Sequence, residues 1–265
     1  MDGILSYLIV GSGYRSEYYG RIAARFPKLF RAMYLCRSEE KAALLRSRTG
    51  MNTTCSEKEC LAFRPDFVVI ATDRDHTCEN VLHWVSLGFA VGAETPVAMT
   101  FEEMCALWEA HKNGARITSF EQYHRYPILA AGLRAVATGR IGTPVSAYLS
   151  AVHDYHAASL LRRMLHTGGE DVLLRGETRL FSAVETDSRT GAFFDGRKSE
   201  REQSVLHITY ASGKTAVYDF SPLQYRTYLR SRHLSVRGDA GEWCDNSIYT
   251  LSRDTGCPER LPLMP

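Results

Sequence analysis

The chain has 265 residues, of which 45% are hydrophobic and 23% are charged, a composition that excludes disordered and fibrous proteins. Its 32 basic residues nearly balance its 30 acidic ones, and both signs are spread along the chain, so no basic surface for a nucleic acid or a membrane is indicated. We therefore expect a protein that acts on small molecules.

Cysteine usage indicates the compartment. The seven cysteines are scattered and form no C-x-x-C pair, which is typical of proteins in a reducing environment, and we expect a cytoplasmic protein. The first residues carry no basic segment, and the apolar run at residues 8–10 is too short for a signal peptide or a membrane span. His76, Cys78 and His83 fit no closed four-ligand set, so no metal site is expected.

Short apolar segments alternate with helix-like segments from residue 5 to about residue 120. The predicted strands are residues 5–10, 30–36, 67–71, 89–93 and 116–120. Each is short and apolar, as expected for a strand that is covered on both faces. The alternation predicts an α/β fold, a doubly wound parallel sheet of the Rossmann type over residues 1–120.

Two helix starts are marked by capping residues. Ser38 precedes Glu39 and Glu40, and Thr100 precedes Glu102 and Glu103. A serine or threonine hydroxyl accepts a hydrogen bond from the first helical turn, and acidic residues there favour the positive end of the helix dipole. Helices are therefore predicted to begin after Ser38 and after Thr100.

The pattern changes beyond residue 120. A helix is predicted at residues 126–138, and later segments alternate in polarity like antiparallel strands. The predicted strands are 207–210, 216–220 and 234–237, with turns at 212–214 and 238–241. The polar residues 186–203 are predicted to form a mobile loop. Residues 121–265 are thus expected to form an α+β domain with a mostly antiparallel open sheet.

A glycine turn follows the first predicted strand. Gly11 can make a tight turn, and Gly13 can let a pyrophosphate approach the backbone at the start of the next helix. Ser16 occupies the place of the third glycine of the dinucleotide fingerprint and is small enough for close packing. The alternative is a purely structural turn. The predicted cofactor contacts here are Gly11, Ser12, Gly13, Tyr14 and Arg15.

The second predicted strand indicates which nicotinamide nucleotide is preferred. An acidic residue commonly ends this strand and binds the ribose 2′-hydroxyl, whereas here Arg37 and Ser38 follow it. An arginine and a serine hydroxyl can bind a 2′-phosphate, which favours NADP over NAD. The alternative is that Arg37 is only a solvated surface residue.

Several segments, taken in order, resemble one family. They are residues 11–13, 66–72, 94–96, 139–143 and 236–242. In their order and spacing they are similar to the glucose-fructose oxidoreductase and inositol dehydrogenase family of NAD(P)-dependent enzymes. The resemblance covers nearly the whole chain.

The resemblance implies hydride transfer between NAD or NADP and a sugar, polyol or related hydroxyl or carbonyl compound. It implies a Rossmann domain followed by a domain whose open sheet serves in homodimer or higher homo-oligomer contacts. By resemblance, Ala71 and Thr72 end the strand beneath the nicotinamide, and Glu94 and Pro96 shape the loop after the fifth strand, so these four residues are predicted cofactor contacts. Family members generally continue past the strand near Gly241, whereas this chain is expected to end in a loop-like tail, so a shortened domain or a fragment is implied.

The chain departs from the family at its lysine. The Glu-Lys-Pro motif is Glu94-Thr95-Pro96 here. Thr95 cannot replace the charge of the lysine, but its hydroxyl can orient a substrate oxygen or pass a proton to a better base. Thr95 is therefore a predicted substrate contact.

The second family signature ends in a histidine, which His156 matches. The resemblance makes His156 the predicted catalytic acid or base, because an imidazole exchanges protons near neutral pH. Asp154 or Tyr155 is expected to orient it or to contact substrate, whereas Val152 replaces the family's aspartate. Alternatively, Asp154 caps a helix and His156 packs in the core, with one face of that helix buried through Ala157, Leu160, Leu161 and Met164.

Residues 121–127 occupy a segment in which the family places substrate contacts. Tyr123 and His124 are the predicted contacts here, since loops at the carboxyl end of a parallel sheet bind ligands. Alternatively, Tyr126 and Pro127 simply start the next helix.

Two other functions remain open. The missing lysine and aspartate allow a protein that binds a dinucleotide as a sensor, or that presents its sheet to a partner, without catalysis. They also allow an enzyme of altered chemistry, for example an imine or enone reductase, whose substrate supplies part of the proton traffic.

Overall fold

The computed structural model describes residues 3–188 and 190–264. Four positions lie outside the described residues: Met1, Asp2, Arg189 and Pro265. The predictions made for them, on a leader sequence at the start, the mobile loop and the tail, are therefore not described at these positions. The chain divides into two compact units, one that ends at Glu121 and one that begins at Gln122.

The first unit contains a six-stranded parallel sheet, which confirms the predicted fold class. The strands are β1 (Leu5–Val10), β2 (Phe30–Leu35), β3 (Thr53–Thr54), β4 (Phe67–Ile70), β5 (Ala90–Ala93) and β6 (Ile117–Ser119). Their order is β3-β2-β1-β4-β5-β6, in which the chain crosses over after β3 to the other side of β1. Five of these strands were predicted to within one or two residues, whereas the two-residue β3 is too short to produce a pattern.

Five helices connect these strands. They are α1 (Tyr14–Arg25), α2 (Glu39–Thr49), α3 (Glu57–Ala62), α4 (Thr77–Ser86) and α5 (Phe101–Lys112). Both predicted caps are confirmed: the Ser38 hydroxyl accepts from the Lys41 amide at 3.4 Å, and Thr100 forms a reciprocal capping box with Glu103. No described helix in either unit is long and apolar enough to cross a membrane.

The strands of the first sheet are covered on both faces. Along β1, Leu8 and Val10 enter one hydrophobic cluster, whereas Tyr7 and Ile9 enter the cluster on the opposite face. All four are nearly inaccessible to solvent, so successive side chains of a single strand stabilise both layers of the unit. This double burial explains why the four residues of β1 before the glycine turn, Tyr7 to Val10, are all large and hydrophobic.

The second unit contains a mixed eight-stranded sheet with two helices, α6 (Pro127–Ala137) and α7 (Asp154–Leu165). The strands are β7 (Pro144–Ser150), β8 (Val172–Val184), β11 (Lys198–Tyr210), β12 (Thr215–Phe220), β13 (His233–Gly238), β14 (Gly241–Cys244), β15 (Ser247–Leu251) and β16 (Pro258–Pro262). A separate hairpin pairs β9 (Asp187–Ser188) with β10 (Gly191–Ala192). The large sheet has the order β16-β15-β14-β13-β7-β12-β11-β8, and only β7 and β12 pair in parallel. This mostly antiparallel sheet confirms the predicted class of the second unit.

Two predictions for this unit are wrong. The segment predicted as a mobile loop, residues 186–203, ends in an ordered strand, because β11 begins at Lys198. Residues 198–203, at the start of β11, are all polar or charged, and this part of the strand is held by backbone pairing with β8 rather than by an apolar face. The tail, interpreted as a loop, carries β16, which pairs with β15.

Helix α6 makes a close contact with a buried tryptophan. A Cβ atom added to Gly132 would lie 2.1 Å from the Trp243 ring, which is fully buried. We expect Gly132→Ala to lower the free energy of unfolding by about 1–3 kcal/mol, measured by urea denaturation, because overpacking forces the ring or the backbone to shift.

The test is whether Gly132→Ala lowers or raises the free energy of unfolding. In an uncrowded helix interior, glycine to alanine raises the free energy of unfolding by about 0.8–1.0 kcal/mol. Ala137→Ser, on the exposed end of α6, is the control and should change stability by less than about 0.5 kcal/mol. A stabilised Gly132→Ala protein would show that the Trp243 contact does not constrain this helix.

Candidate functional site

The loop after β1 requires a glycine at Gly11. This residue has a φ of 126°, and a Cβ atom there would lie 2.3 Å from the carbonyl oxygen of Ala71 and 3.2 Å from the amide nitrogen of Thr72. The end of β1 is thus packed directly against the end of β4. Any side chain at Gly11 would be both strained and in collision with this backbone.

Gly13, in contrast to Gly11, has open space around it. It is the N-cap of α1 with a φ of −82°, and a Cβ atom there would have no neighbour within 4 Å. No side chain caps the helix, so the positive end of the α1 dipole faces open space. Uncapped amides beside an open approach are the features that bind a phosphate group.

Ser16 fits the place of the third glycine. Its side chain is fully buried, and its hydroxyl donates to the carbonyl of Gly13 at 2.6 Å. The hydroxyl of Tyr34, from β2, donates to the carbonyl of Ser16 at 3.3 Å. Two further predicted residues flank this turn: Ser12 is half-buried, and Tyr14 is 67% exposed and touches Tyr18 through the two hydroxyls.

A buried hydroxyl lies at the end of β4. The Oγ1 atom of Thr72 is buried and has no hydrogen-bond partner among the described residues. The neighbouring Ala71 is also buried. Because a buried hydroxyl without a partner costs free energy, Thr72 is suited to contact a polar group that binds beside this loop.

Glu94 joins the loop after β5 to helix α1. Its carboxylate accepts hydrogen bonds from the Nε and Nη2 atoms of Arg15, each at 3.2 Å. It also accepts a hydrogen bond from the hydroxyl of Tyr19. Only 14% of the Glu94 side chain is exposed. Burial raises the pKa of Tyr19 and the adjacent carboxylate raises it further, so this hydroxyl stays protonated and donates.

The structure therefore brings together Arg15 and Glu94, two residues predicted separately as cofactor contacts. Tyr19 was not predicted. It follows Arg15 by four positions on α1 and so shares its face, which is a signal that the sequence did contain. Thr95 and Pro96 come next, both half-buried and joined by a cis peptide bond.

Arg37 and Ser38 follow the carboxyl end of β2. Arg37 is exposed, whereas the Ser38 hydroxyl is engaged as the cap of α2. Glu39 and Glu40 occupy the first turn of the same helix. Arg37 is thus the basic group at the position where a ribose substituent is recognised in this fold.

In the second unit, His156 lies in the first turn of α7 and is 5% exposed. Its ring centroid lies 4.6 Å from that of Tyr123, 4.8 Å from that of His153 and 4.4 Å from that of Tyr155. Two predicted substrate contacts, Tyr123 and Tyr155, therefore surround the predicted catalytic histidine. The other face of α7 packs into the core, as the sequence predicted for Ala157, Leu160, Leu161 and Met164.

The predicted capping role of Asp154 is wrong. The N-cap of α7 is His153, and Asp154 is the first helical residue, with a φ of 38°. Asp154 instead contacts Tyr218: its amide donates to the tyrosine hydroxyl at 3.1 Å, and this hydroxyl lies 3.4 Å from Oδ1. Burial raises the pKa of Tyr218 to about 12.

His153 connects two tyrosine hydroxyls. Its Nδ1 lies 3.0 Å from the hydroxyl of Tyr225 and its Nε2 lies 3.3 Å from the hydroxyl of Tyr155. The Tyr225 hydroxyl also accepts from the His153 amide at 3.2 Å. Burial and a neighbouring Tyr123 hydroxyl raise the pKa of Tyr225. This chain of hydrogen-bonding groups can hold or move a proton beside His156.

Tyr225 was not identified from sequence. It ends a short 3-10 turn, Pro222–Tyr225, which begins after a capping box between Ser221 and Gln224. That capping box is visible in the sequence and could have marked the turn. Nothing local indicates that Tyr225 returns to α7, because the contact spans 72 residues.

Tyr123 and His124 lie in a 3-10 turn, Tyr123–Arg125, directly before α6. Both are half-buried, whereas Tyr126 is exposed and caps α6, which begins at Pro127. The alternative proposed for Tyr126 and Pro127, that they start the helix, is confirmed. Within residues 3–188 and 190–264, no group of three or more histidine, cysteine, aspartate or glutamate residues could hold a metal ion.

Comparison with known proteins gives a match for the first unit. Residues 5–121 match the family model described as an oxidoreductase family with an NAD-binding Rossmann fold, GFO_IDH_MocA. Among curated proteins, no sequence matches this chain significantly.

Solved structures are similar over nearly the whole chain. A levoglucosan dehydrogenase, in complex with NADH and levoglucosan, matches with a TM-score of 0.70 at 16% identity, covering 98% of this chain and 80% of that one. A putative myo-inositol dehydrogenase from Sinorhizobium meliloti matches with a TM-score of 0.66 at 18% identity, covering 98% and 82%. A putative NADPH-dependent oxidoreductase from Desulfitobacterium hafniense has a TM-score of 0.70 at 12% identity, covering 100% and 83%. At these identities the likeness establishes the fold.

Proposed function

Because residues 5–121 match the model of the Gfo/Idh/MocA oxidoreductase family, we propose that this chain is a member of that family and an NAD(P)-dependent dehydrogenase or reductase of carbohydrate-like or other small hydroxyl or carbonyl compounds. The match over these residues supports the resemblance that the sequence motifs indicated. It also favours the catalytic function over a non-catalytic sensor or interaction module.

The observation that carries this proposal is the pairing of Gly11 and Gly13. Gly11 is required by the fold, whereas Gly13 leaves open space at the uncapped start of α1. A pyrophosphate fits there, with its charge at the helix N-terminus. The residues proposed to hold the nucleotide are Gly11, Ser12, Gly13, Tyr14, Arg15, Arg37, Ser38, Ala71, Thr72, Glu94 and Pro96.

When bound, the nicotinamide supplies hydride acceptance or donation at a substrate carbon. His156 is proposed to remove the proton from the substrate hydroxyl during oxidation and to return it during reduction. The hydrogen-bonded chain of Tyr155, His153 and Tyr225 beside His156 then offers a path for that proton. The family's lysine is replaced by Thr95 in this chain, so the proposal assigns proton transfer to His156 and these neighbouring groups.

The substrate class follows from hydrogen-bonding groups and from similar proteins. The proposed contacts are Thr95, Tyr123, His124, Asp154 and Tyr155, whose hydroxyl, imidazole and carboxylate groups suit a polyhydroxylated molecule. Similar structures include a levoglucosan dehydrogenase and a putative myo-inositol dehydrogenase, both named for polyhydroxylated substrates. We therefore favour a sugar or polyol derivative.

The test is calorimetric titration with all four nicotinamide nucleotides, followed by a screen of sugars and polyols that monitors nicotinamide absorbance. Micromolar binding followed by turnover of at least one compound supports the enzyme. Binding without any turnover, including imines and enones in the screen, would favour the sensor. Failure to bind any nucleotide would remove the proposal.

We propose that NADP is preferred, on the basis of the exposed Arg37 after β2. We expect Arg37→Ala to weaken NADP binding roughly 10-fold or more, because a hydrogen bond to a charged group contributes about 1.5–3 kcal/mol, and to leave NAD binding unchanged. Calorimetry of both nucleotides measures this ratio.

The matched control is Arg25→Ala, an exposed arginine in the last turn of the same unit's helix α1. Arg25 carries the same charge as Arg37 but lies at the end of α1 away from the proposed phosphate site. Its replacement should change neither the NAD nor the NADP affinity. Equal weakening of NAD and NADP by Arg37→Ala would contradict recognition of a 2′-phosphate at this residue.

Assembly and compartment complete the proposal. We propose a homodimer or higher homo-oligomer through the sheet of the second unit, with no nucleic-acid or membrane partner. All seven cysteines are free thiols, which supports a cytoplasmic location. A monomer by light scattering at micromolar concentration would remove the proposed assembly.

A further inference from the structure

Strand β8 forms one edge of the eight-stranded sheet. It contains 13 residues and pairs, among the described residues, only with β11. Its first nine residues are all exposed, including Leu173, Leu174 and Leu180. A long exposed edge strand presents a row of unpaired backbone donors and acceptors to solvent.

This edge has only part of the usual protection against pairing. Proteins commonly protect an edge with short strands, charged side chains (lysine above all), prolines or β-bulges. The charged residues of β8 are Arg175, Glu177 and Arg179, which carry both signs. Residues 172–184 contain no proline and no lysine, and the register with β11 runs without interruption from Val172 to Val184. The strand also exceeds the usual length of about 3–10 residues.

Half of the ribbon formed by β8 and β11 extends beyond the rest of the sheet. The β11 residues that pair with β12 begin at Ser204, so residues 198–203 of β11 pair with β8 alone. Over this stretch the sheet is a two-stranded ribbon, which extends beyond β12. An isolated two-stranded ribbon is marginally stable in water, and a third strand along β8 would stabilise it.

The sequence of β8 complements itself about its central residue, Thr178. In an antiparallel pair of two copies centred there, all 13 residues have a partner, from Val172 opposite Val184 to Thr178 opposite itself. Glu177 then lies opposite Arg179, twice, on the same face of the sheet. Opposite charges placed directly across a strand pair are stabilising.

Other registers are worse. Moving the centre to Glu177 places that residue opposite itself and places Arg175 opposite Arg179. Moving it to Arg179 places that arginine opposite its own copy. Like charges directly opposite each other are destabilising, and a one-residue slip of one strand would put its outward side chains on the wrong face. A centre at Gly176 also places opposite charges across the pair, with Arg175 opposite Glu177, but it pairs only residues 172–180. The register centred on Thr178 combines opposite charges with pairing of all 13 residues.

We propose that β8 pairs antiparallel with β8 of a second copy of this chain, about a twofold axis at Thr178. The contact is isologous and closes on itself, so it produces a dimer rather than a fibre. Glu177 and Arg179 already form an ion pair within one strand at 2.5 Å, and two such pairs would form a four-charge cluster at the axis. This inference specifies how the proposed assembly uses the sheet and is independent of nucleotide binding.

Disulfide trapping tests the register. Directly opposite residues in an antiparallel pair have Cα atoms about 4.5–5.5 Å apart, which lies within the range of a disulfide. Thr178→Cys, in a background with exposed Cys105 and Cys257 replaced by serine, should form a covalent dimer rapidly on mild oxidation, seen by non-reducing electrophoresis.

The matched control is Leu180→Cys in the same background. Leu180 is 67% exposed on the same face of the same strand, but in this register its own copy lies four residues away along the strand, roughly 13 Å. It should crosslink at least 10-fold more slowly than Thr178→Cys. Equal rates for the two variants would overturn the proposal.

Charge reversal provides a second test in the Thr178→Cys protein. Adding Glu177→Arg places arginine opposite arginine and should slow crosslinking at least 10-fold, whereas adding Arg179→Glu as well restores opposite charges and the original rate. Unchanged crosslinking by the single reversal would also overturn the proposal. If the Thr178→Cys protein is a dimer by light scattering but does not crosslink, the β8 edge contact is overturned. The dimer would then have to form through the face of the sheet. Nucleotide titration of the same proteins reports the proposed enzymatic function separately.

Discussion

Replacing Gly13 by aspartate will abolish nucleotide binding while leaving the fold intact or slightly more stable. Aspartate is a preferred N-cap residue, and the backbone at Gly13 is already in the extended conformation that such a residue adopts, with a φ of −82° and a ψ of 175°. Its side chain meets no neighbouring atom within 4 Å at Cβ. The helix should therefore gain up to about 1 kcal/mol from the new cap.

The same carboxylate occupies the approach through which a pyrophosphate would reach α1. Like charges brought together in a binding site cost several kcal/mol, so we expect affinity for NAD(H) and NADP(H) to fall by roughly 100-fold or more. Calorimetry measures the affinity, and thermal unfolding measures the stability. The two readouts should move in opposite directions.

Gly13→Asn is the control for charge, since asparagine is also a good cap and has nearly the same shape. It should weaken binding less than aspartate does. Gly11→Ala gives the contrasting result: its Cβ atom would collide with the backbone of Ala71, so this variant should lose stability as well as binding. Wild-type affinity in Gly13→Asp would show that no anion binds at the start of α1.

How much the sequence could predict depended on where the determining contacts lie. Gly11, Ser38 and Thr100 were identified correctly as a tight turn and two caps, because a turn and a helix cap are decided within four residues of chain. Buried parallel strands were equally visible, since burial on both faces makes most of their positions hydrophobic. Local physical requirements of this kind are written directly in the sequence.

The errors concern contacts between distant residues. The first half of β11 has no apolar face, because it is stabilised by backbone pairing with β8 about 15 to 25 residues earlier, and its polarity led to the prediction of a loop. The alternative considered for Asp154 was a helix cap, but the hydroxyl of Tyr218, 64 residues later, engages it instead. No local pattern encodes either contact.

The candidate site shows the same division. Resemblance to family motifs selected His156, and the structure surrounds it with the predicted Tyr123 and Tyr155. The hydrogen bond between His153 and Tyr225 could be identified only in the folded chain, where the 3-10 turn after β12 lies against the start of α7. A sequence motif thus identified the central residue but not the hydrogen-bonded chain around it.

Replacing His156 by asparagine will lower kcat by about 100- to 10,000-fold, the usual contribution of a positioned acid or base, and will leave nucleotide affinity unchanged. Asparagine keeps a polar side chain in a pocket where His156 is almost completely buried, which limits the loss of packing. Turnover is measured with the best substrate from the sugar and polyol screen, and nucleotide binding by calorimetry on the same preparation.

His166→Asn is the matched control, because His166 is an exposed histidine at the far end of the same helix, in a left-handed conformation that asparagine tolerates. It should retain the wild-type kcat. Tyr225→Phe separates the two parts of the site: it keeps the aromatic ring but removes the hydroxyl that meets His153, so kcat should fall less than in His156→Asn and should become more dependent on added buffer. A His156→Asn protein with full turnover would make this histidine a packing residue, and the pair of His153 and Tyr155 would then become the candidate proton carriers in its place.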